Sequence, residues 1–306
     1  MTDVVSIGEC MVELARGEDA RYGLAVGGDT FNTAVYLARA GVAVAYATRV
    51  GDDPYSQRII DTATAEGVAT HLAGRAAGRM PGLYLIETNA AGERSFWYWR
   101  DRAPARELFE SDTAADVAAA MKRAHLVYFS GVTLSLYSER GLDVMAEAIA
   151  AARAAGATIA MDSNYRPRGW GSDRARARAV FRRFWELATI ALPTFDDEQA
   201  LWDDAEPDAT IDRLSALRIP EIVVKNGPAG AHVRIGGTTT LVPCPAVRDP
   251  VDTTAAGDSF NAAYLARRLA GDGPAVAAAA GHRLAGVVIG HRGALVPRTA
   301  TDLLFS

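Results

Sequence analysis

Asp252-Thr-Thr-Ala-Ala-Gly-Asp258, running into Ser259-Phe-Asn-Ala-Ala-Tyr264, joins a turn of small residues to a carboxylate and the start of an apolar helix. Ala255, Ala256 and Gly257 lack the bulk to keep a ligand away from their amides, and the first N–H groups of the helix point forward without intrahelical partners. That combination makes an anion site. An acid at a helix entry serves, taken alone, as a cap or a partner of the helix dipole. Beside amides suited to phosphate, Asp258 is also placed to take the proton of a hydroxyl that attacks a phosphoryl group.

Working outward, strands and helices alternate. Val4-Val-Ser-Ile7 is a short apolar strand of a covered parallel sheet, and Met11–Leu14 with Tyr22–Val26 alternate as a hairpin before Gly27-Gly28 and a helix over 30–40. A strand over 43–50 and a helix over 54–66 follow, then a second hairpin, Leu83–Glu87 and Arg94–Arg100, around the polar turn Asn89-Ala-Ala-Gly92. Its aromatic content is too high for a solvated edge, so it covers something, pairs with another chain, or both. From Asp112 the order is helix to Arg123, strand 126–129, helix 138–155, strand 157–162, helix 173–187 and strand 189–192. This βα repeat predicts a doubly wound α/β sheet, one domain over 1–306 with the hairpins inserted in it. The apolar run 275–290 carries His282 and Arg283, so it reads as a buried helix and not a membrane span.

Composition narrows the partners. A 306-residue chain that is 49% hydrophobic buries a sizeable core, and a net charge of -5 argues against a general nucleic-acid or membrane-surface binder. Arg174, Arg176, Arg178, Arg182 and Arg183 on one helix read as a solvated face. Cys10 and Cys244 fit neither a disulfide framework nor a zinc set, and Met1-Thr-Asp-Val-Val opens no signal peptide, so a cytoplasmic location is expected. There is no Walker-type Gly-x-x-x-x-Gly-Lys-Ser/Thr, no Gly-x-Gly-x-x-Gly after the first strand, no Gly-x-Ser-x-Gly and no His-Glu-x-x-His.

The Asp252–Asp258 turn resembles the second signature of the ribokinase-like (PfkB) carbohydrate kinases, and Gly27-Gly-Asp-Thr-Phe-Asn-Thr-Ala34, with Gly41 and Gly51 downstream, resembles the first. The likeness runs from about residue 4 to the last helix. It implies an α/β/α sandwich with a small β-sheet lid from segments near 10–27 and 82–101. It implies ATP and Mg²⁺, with Asp258 as catalytic base, Ala255, Ala256 and Gly257 as the anion hole and Arg166 beside the phosphates. Gly28, Asp29 and Asn32, with Tyr84, Tyr98, Arg100 and Arg166, match the sugar-binding positions. Asn164, Thr194, Lys225, Gly227, Gly230, Gly257 and His282 match the nucleotide side. The family's Asn-x-x-Glu, whose acid organises Mg²⁺ through water, is here Pro193-Thr-Phe-Asp-Asp-Glu198; the Asn is missing, and either Asp197 or Glu198 takes the acidic role.

Gly92–Arg100, Asn164–Trp170 and Gly290–Pro297 resemble segments of the 2-keto-3-deoxygluconate kinases of that family, which implies transfer to the 6-hydroxyl of that sugar acid. An Arg on a lid suits a carboxylate, which it binds through two parallel hydrogen bonds. Fructokinase, ribokinase and nucleoside kinase, all with neutral acceptors, are the alternatives. A sugar-binding regulatory protein on the same fold is the non-enzymatic one, and it is expected to lack the base or the anion hole, both present here. A homo-oligomer formed through the lid is compatible with the aromatic hairpin.

Overall fold

The computed structural model describes residues 2–305 apart from 18, 20, 89–93, 172, 248 and 249. The turn read at 89–92 and the start of the Gly92–Arg100 segment lie outside the described residues. In the large sheet the strands are β1 (Val4–Ile7), β4 (Val44–Gly51), β5 (Ala73–Ala76), β8 (Leu126–Ser130), β9 (Thr158–Asp162), β10 (Ile190–Ala191), β11 (Glu221–Lys225), β12 (Ala231–Ile235) and β13 (Thr238–Val242). Their order is β13-β12-β11-β10-β9-β8-β1-β4-β5. The strands from β11 to β5 run parallel, and β12 and β13 add an antiparallel edge.

Both faces of this sheet are covered, and the two-residue period shows why its strands read as continuous apolar runs. Val127 and Phe129 of β8 pack into one core with Ile159 and Met161, while Leu126 and Tyr128 pack into the other with Ala160. The second core also takes the helices Asp29–Arg39, Ala256–Leu269 and Pro274–Val288. The run 275–290 is thus a helix of the interior, and no helix among the described residues is long and apolar enough to cross a membrane.

The remaining strands, β2 (Met11–Arg16), β3 (Tyr22–Gly27), β6 (Leu83–Thr88) and β7 (Arg94–Trp99), form a separate four-stranded sheet in the order β3-β2-β6-β7. Both hairpins read from the sequence are antiparallel pairs here, joined through a parallel β2–β6 contact. Tyr84 opposes Tyr98 and Ile86 opposes Phe96, so these four share a face with Met11. Trp97 and Trp99 take the other face and are 54% and 61% exposed.

Four corrections to the expected elements follow. The helix expected from Asp112 begins at Ala114, after a 3₁₀ turn over Pro104–Glu110. β5, β12 and β13 have no counterpart in the reading, because Ala73-Gly-Arg-Ala76 and Thr238-Thr-Thr-Leu-Val242 are too polar to stand out as buried strands. They are edge or next-to-edge strands, for which pairing and not burial is decisive.

Candidate active site

The informative side chains converge at the carboxyl ends of the parallel strands, the usual place for ligands of such sheets. Ser130 closes β8, Asp162 closes β9 and Lys225 closes β11, while Asp29 and Asp258 begin two helices above them. Asn32 Nδ2 donates to Asp258 Oδ2 at 2.8 Å, and Thr33 Oγ1 donates to the Asp258 carbonyl at 3.2 Å. One Asp258 oxygen is therefore anchored to the helix of the Gly27-Gly28 loop, across 226 residues of chain. Ala255, the N-cap, sits in the left-handed region at φ 60 and offers no side-chain cap to the first turn. A non-glycine residue held there is strained, and such strain collects at functional sites. The other strained site residue is Asn164, at φ 29.

Asn164 Nδ2 donates to Asp29 Oδ2 at 2.7 Å, and Ser130 Oγ donates to the same oxygen. Beneath them, buried Lys225 Nζ donates to Asp162 Oδ1 at 3.2 Å and Asn261 Oδ1 at 2.9 Å, and Asn261 Nδ2 donates to Asp162 Oδ2 at 2.7 Å. The carboxyl of Asp258 is pushed well above the ordinary carboxylate range, first by burial and then by the nearby Asp29, with Asn32 opposing. Burial likewise raises Asp29, against the hydrogen bond from Ser130. Burial makes the Asp258 carboxyl a stronger proton acceptor, and it stands beside a helix terminus without a side-chain cap, a combination suited to general-base transfer.

Comparison with known proteins shows the family. The model of the pfkB family carbohydrate kinases matches residues 1–301. The chain belongs to that family. It is 41% identical to the 2-dehydro-3-deoxygluconokinase of Escherichia coli K12, over 97% of this chain and 98% of that one. It is 36% identical to the enzyme of that name from Haemophilus influenzae, over 100% and 99%. Among solved structures, a 2-dehydro-3-deoxygluconokinase from Thermotoga maritima superposes with a TM-score of 0.84 at 21% identity, covering 100% of this chain and 99% of that one. A putative ribokinase II from E. coli, in complex with ATP and Mg²⁺, gives 0.85 at 22% identity and 99% coverage of both. These last two likenesses concern the ribokinase-like fold.

The other positions that matched the PfkB pattern are distributed as follows. Gly28 lies against the Glu9 carbonyl, 2.1 Å from where a Cβ would stand, so the loop admits no larger residue. Tyr84 is buried and its hydroxyl donates to Glu13, while Tyr98 is 44% exposed across the sheet. Arg100 pairs with buried Glu9. Arg166 Nη1 donates to Asp197 Oδ1 at 2.9 Å. Thr194 occupies the N-cap position of the helix Phe195–Trp202 without a side-chain cap, and its amide donates to Ser163 Oγ at 3.1 Å. Gly227 and Gly230 adopt φ 48 and φ 101, as their turn demands. His282 is buried against Phe260, its pKa lowered by burial, and its Nε2 has no hydrogen-bond partner among the described residues. Sequence reasoning missed Ser130 and Asn261, which donate to the Asp29 and Asp162 carboxylates, and Tyr128, whose hydroxyl accepts from Asn261 Nδ2 at 3.0 Å; none has a motif of its own.

Asp197 and Glu198, adjacent in sequence, separate in space. Asp197 faces Arg166 and Ser163. Glu198 turns inward, fully buried, to accept from Arg213 Nη2 at 2.6 Å, away from that pair. Among the described residues no group of three or more His, Cys, Asp or Glu is arranged to hold a metal ion. Arg174, Arg176, Arg178 and Arg183 of the helix Arg174–Trp185 are engaged locally: Arg174 and Arg178 pair with Asp203, Arg176 with Glu139 and Arg183 with Asp143.

Burial raises Glu198 from 4.5 to about 7, with Arg213 opposing. The folded chain then holds this proton more tightly than the unfolded one, so the stabilisation is complete below the unfolded value and is lost as pH rises toward 7. Between about pH 5 and 8, wild type should lose about 1 to 3 kcal/mol more stability than Glu198→Gln, read by urea unfolding at each pH. Parallel profiles for the two proteins would place the proton uptake elsewhere.

Proposed function

We propose that this chain is an ATP-dependent sugar-acid kinase that phosphorylates the 6-hydroxyl of 2-keto-3-deoxygluconate. The observation that carries this reading is the Asp258 carboxyl, anchored by Asn32 beside an uncapped helix terminus, in a chain 41% identical to a 2-dehydro-3-deoxygluconokinase. In the proposed reaction the 6-oxygen attacks the γ-phosphorus, its proton passes to Asp258, and the bond from that phosphorus to the bridging oxygen breaks to release ADP. The amides of Ala255, Ala256 and Gly257 face the developing charge, and Arg166 supplies positive charge from the opposite loop. Thr194, Gly227, Gly230 and Gly257 line the nucleotide path, and the unpartnered Nε2 of His282 suits a base edge. Asn164 and Lys225 serve that path from its floor, where they hold Asp29 and Asp162.

Bound with the nucleotide, Mg²⁺ would neutralise phosphate charge in such a transfer. The single carboxylate of Asp197 fits water-mediated contact to an ion held mainly by phosphates, whereas Glu198 is engaged by Arg213. On the sugar side, Gly28, Asp29 and Asn32 meet hydroxyls, and Asn32 Oδ1, buried without a partner among the described residues, is free to accept one. The small sheet, with its segments near 10–27 and 82–101, serves as the lid, with Tyr84, Tyr98 and Arg100 toward the substrate.

The assay that tests this reading is ADP release over a panel of keto-deoxy sugar acids, fructose, ribose and adenosine. Turnover of 2-keto-3-deoxygluconate is expected; activity confined to a neutral acceptor would sink the substrate assignment. The lid should also close over the sugar, since a phosphoryl donor beside an open site loses phosphate to water. Trp97 and Trp99 report on this directly, and tryptophan emission should shift at saturating sugar acid. Unchanged emission together with unchanged amide exchange over 83–99 counts against a moving lid. The outer face of β7, an exposed edge carrying those tryptophans, further supports association of two copies through the lid. Trp99→Glu should then lower the mass measured by sedimentation, and a monomeric wild type would refute it. With free, separated cysteines and small-molecule substrates, the cytoplasm is its proposed location.

A further inference from the structure

Glu9 has no part in the phosphoryl transfer just described, yet it is one of the most enclosed charges in the molecule. It follows β1 at the point where both lid segments cross onto the large sheet, and it is 3% exposed. Its backbone carbonyl would meet a Cβ on Gly28, and its Oε1 lies 2.6 Å from where a Cβ on Gly82 would stand, so glycine at both places makes room for it. Oε2 pairs with Arg100 Nη2 at the end of β7. Neither oxygen has a further hydrogen-bond partner among the described residues, so the ion pair is what the carboxylate has to offset its burial. On Arg100, Nε and Nη2 are buried, whereas the side chain as a whole keeps 18% of its surface, with the guanidinium 6.0 Å from the Tyr98 ring.

We infer that Glu9 is the positioning residue of Arg100: it grips the guanidinium from behind and turns the remaining edge toward the carboxylate of the sugar acid. This rests on the sugar-acid reading above. Arg106 also acts on Glu9, with Asp29 acting in the opposite sense. Glu9 thereby sets where the Arg100 guanidinium points. The cost of immobilising a long arginine side chain is met in the fold and not on binding.

The test compares Glu9→Gln, which keeps an acceptor for Nη2, with the similarly sized Glu9→Met, which does not, on 2-keto-3-deoxygluconate and on its analogue with the carboxylate reduced to an alcohol. Glu9→Met should raise KM for the acid about 10-fold with kcat changed by less than about twofold, and leave KM for the alcohol within about twofold. Glu9→Gln should recover most of the loss. Gly82→Ala, whose methyl would crowd Glu9 Oε1 and also the Arg100 Cβ while keeping the carboxylate, should show the same acid-selective rise. Equal losses on both compounds, or a lower KM for the acid in both Glu9 variants, overturns the inference, the latter because Glu9 would then be a competitor of the substrate. If wild type itself fails to prefer acid over alcohol, the sugar-acid reading falls and the inference falls with it, an outcome visible before any variant is made. Should Glu9→Met not fold, the Gly82→Ala and Glu9→Gln comparisons decide the matter.

Discussion

Asp258→Asn is expected to lower turnover by about 10² to 10⁴, the range for loss of a general base, while sugar and nucleotide affinities stay near wild type. The geometry makes this a clean substitution. Oδ2 already accepts from Asn32 Nδ2, so an amide turned with its oxygen toward Asn32 keeps that bond and presents an NH₂ where the base had been. The helix is not capped by this side chain, so its start is not disturbed. Removing the charge also relieves the repulsion with Asp29 and Asp162, which predicts no loss of thermal stability. Steady-state kinetics with isothermal titration of each ligand tests the pair of statements. Near-normal turnover would reduce Asp258 to a helix-end charge and remove the chemistry proposed here.

The second large effect concerns Arg100, which follows β7 in the proposed lid and pairs with Glu9. Arg100→Ala should raise KM for the sugar acid by about 10 to 200-fold, the loss of a charge-assisted hydrogen bond of about 1.5 to 3 kcal/mol, with little change in kcat. Arg166→Ala, which breaks the pair with Asp197, should lower kcat as well, because in the proposed reaction its charge acts on the transferred group. Arg100→Lys should recover little, since an ammonium cannot grip Glu9 and a substrate carboxylate with one planar fork. Arg100→Ala also strands a buried carboxylate, so a lower melting temperature accompanies it. Kinetics on the carboxyl-reduced analogue separates the two effects: the variant should lose far less on the alcohol than on the acid. Equal losses would make Arg100 a support of the lid, and a neutral hexose the better acceptor.

Much of the site was legible in the sequence because its elements are local. A turn of Ala255, Ala256 and Gly257 before an acid, or paired glycines before Asp29, states its backbone requirement within a few residues. The apolar strands Val4–Ile7 and Leu126–Ser130 are continuous runs because both faces are covered, and period and length suffice to find them. The hairpins of the lid likewise announced themselves by alternation. The polar edge strands β5 and β13 did not, since their stability comes from pairing with a neighbour that no window of sequence contains.

What the sequence by itself determined is therefore the α/β class, the two signatures and the set of residue types available for phosphoryl transfer. Only the tertiary structure decided how those residues are spent. Asp197 and Glu198 are adjacent in the chain, but a helix turns successive side chains about 100° apart, so one faces Arg166 and the other is buried on Arg213. Glu9 and Arg100 read separately as a turn residue and a strand charge, and they meet because the lid crosses back over the end of β1. Ser130, Asn164 and Asp29, with Lys225, Asn261 and Asp162 below, form two hydrogen-bonded clusters from distant segments. A buried charge requires a partner within a few ångströms, and which partner arrives there is set by strand order and crossover, which pattern alone does not encode.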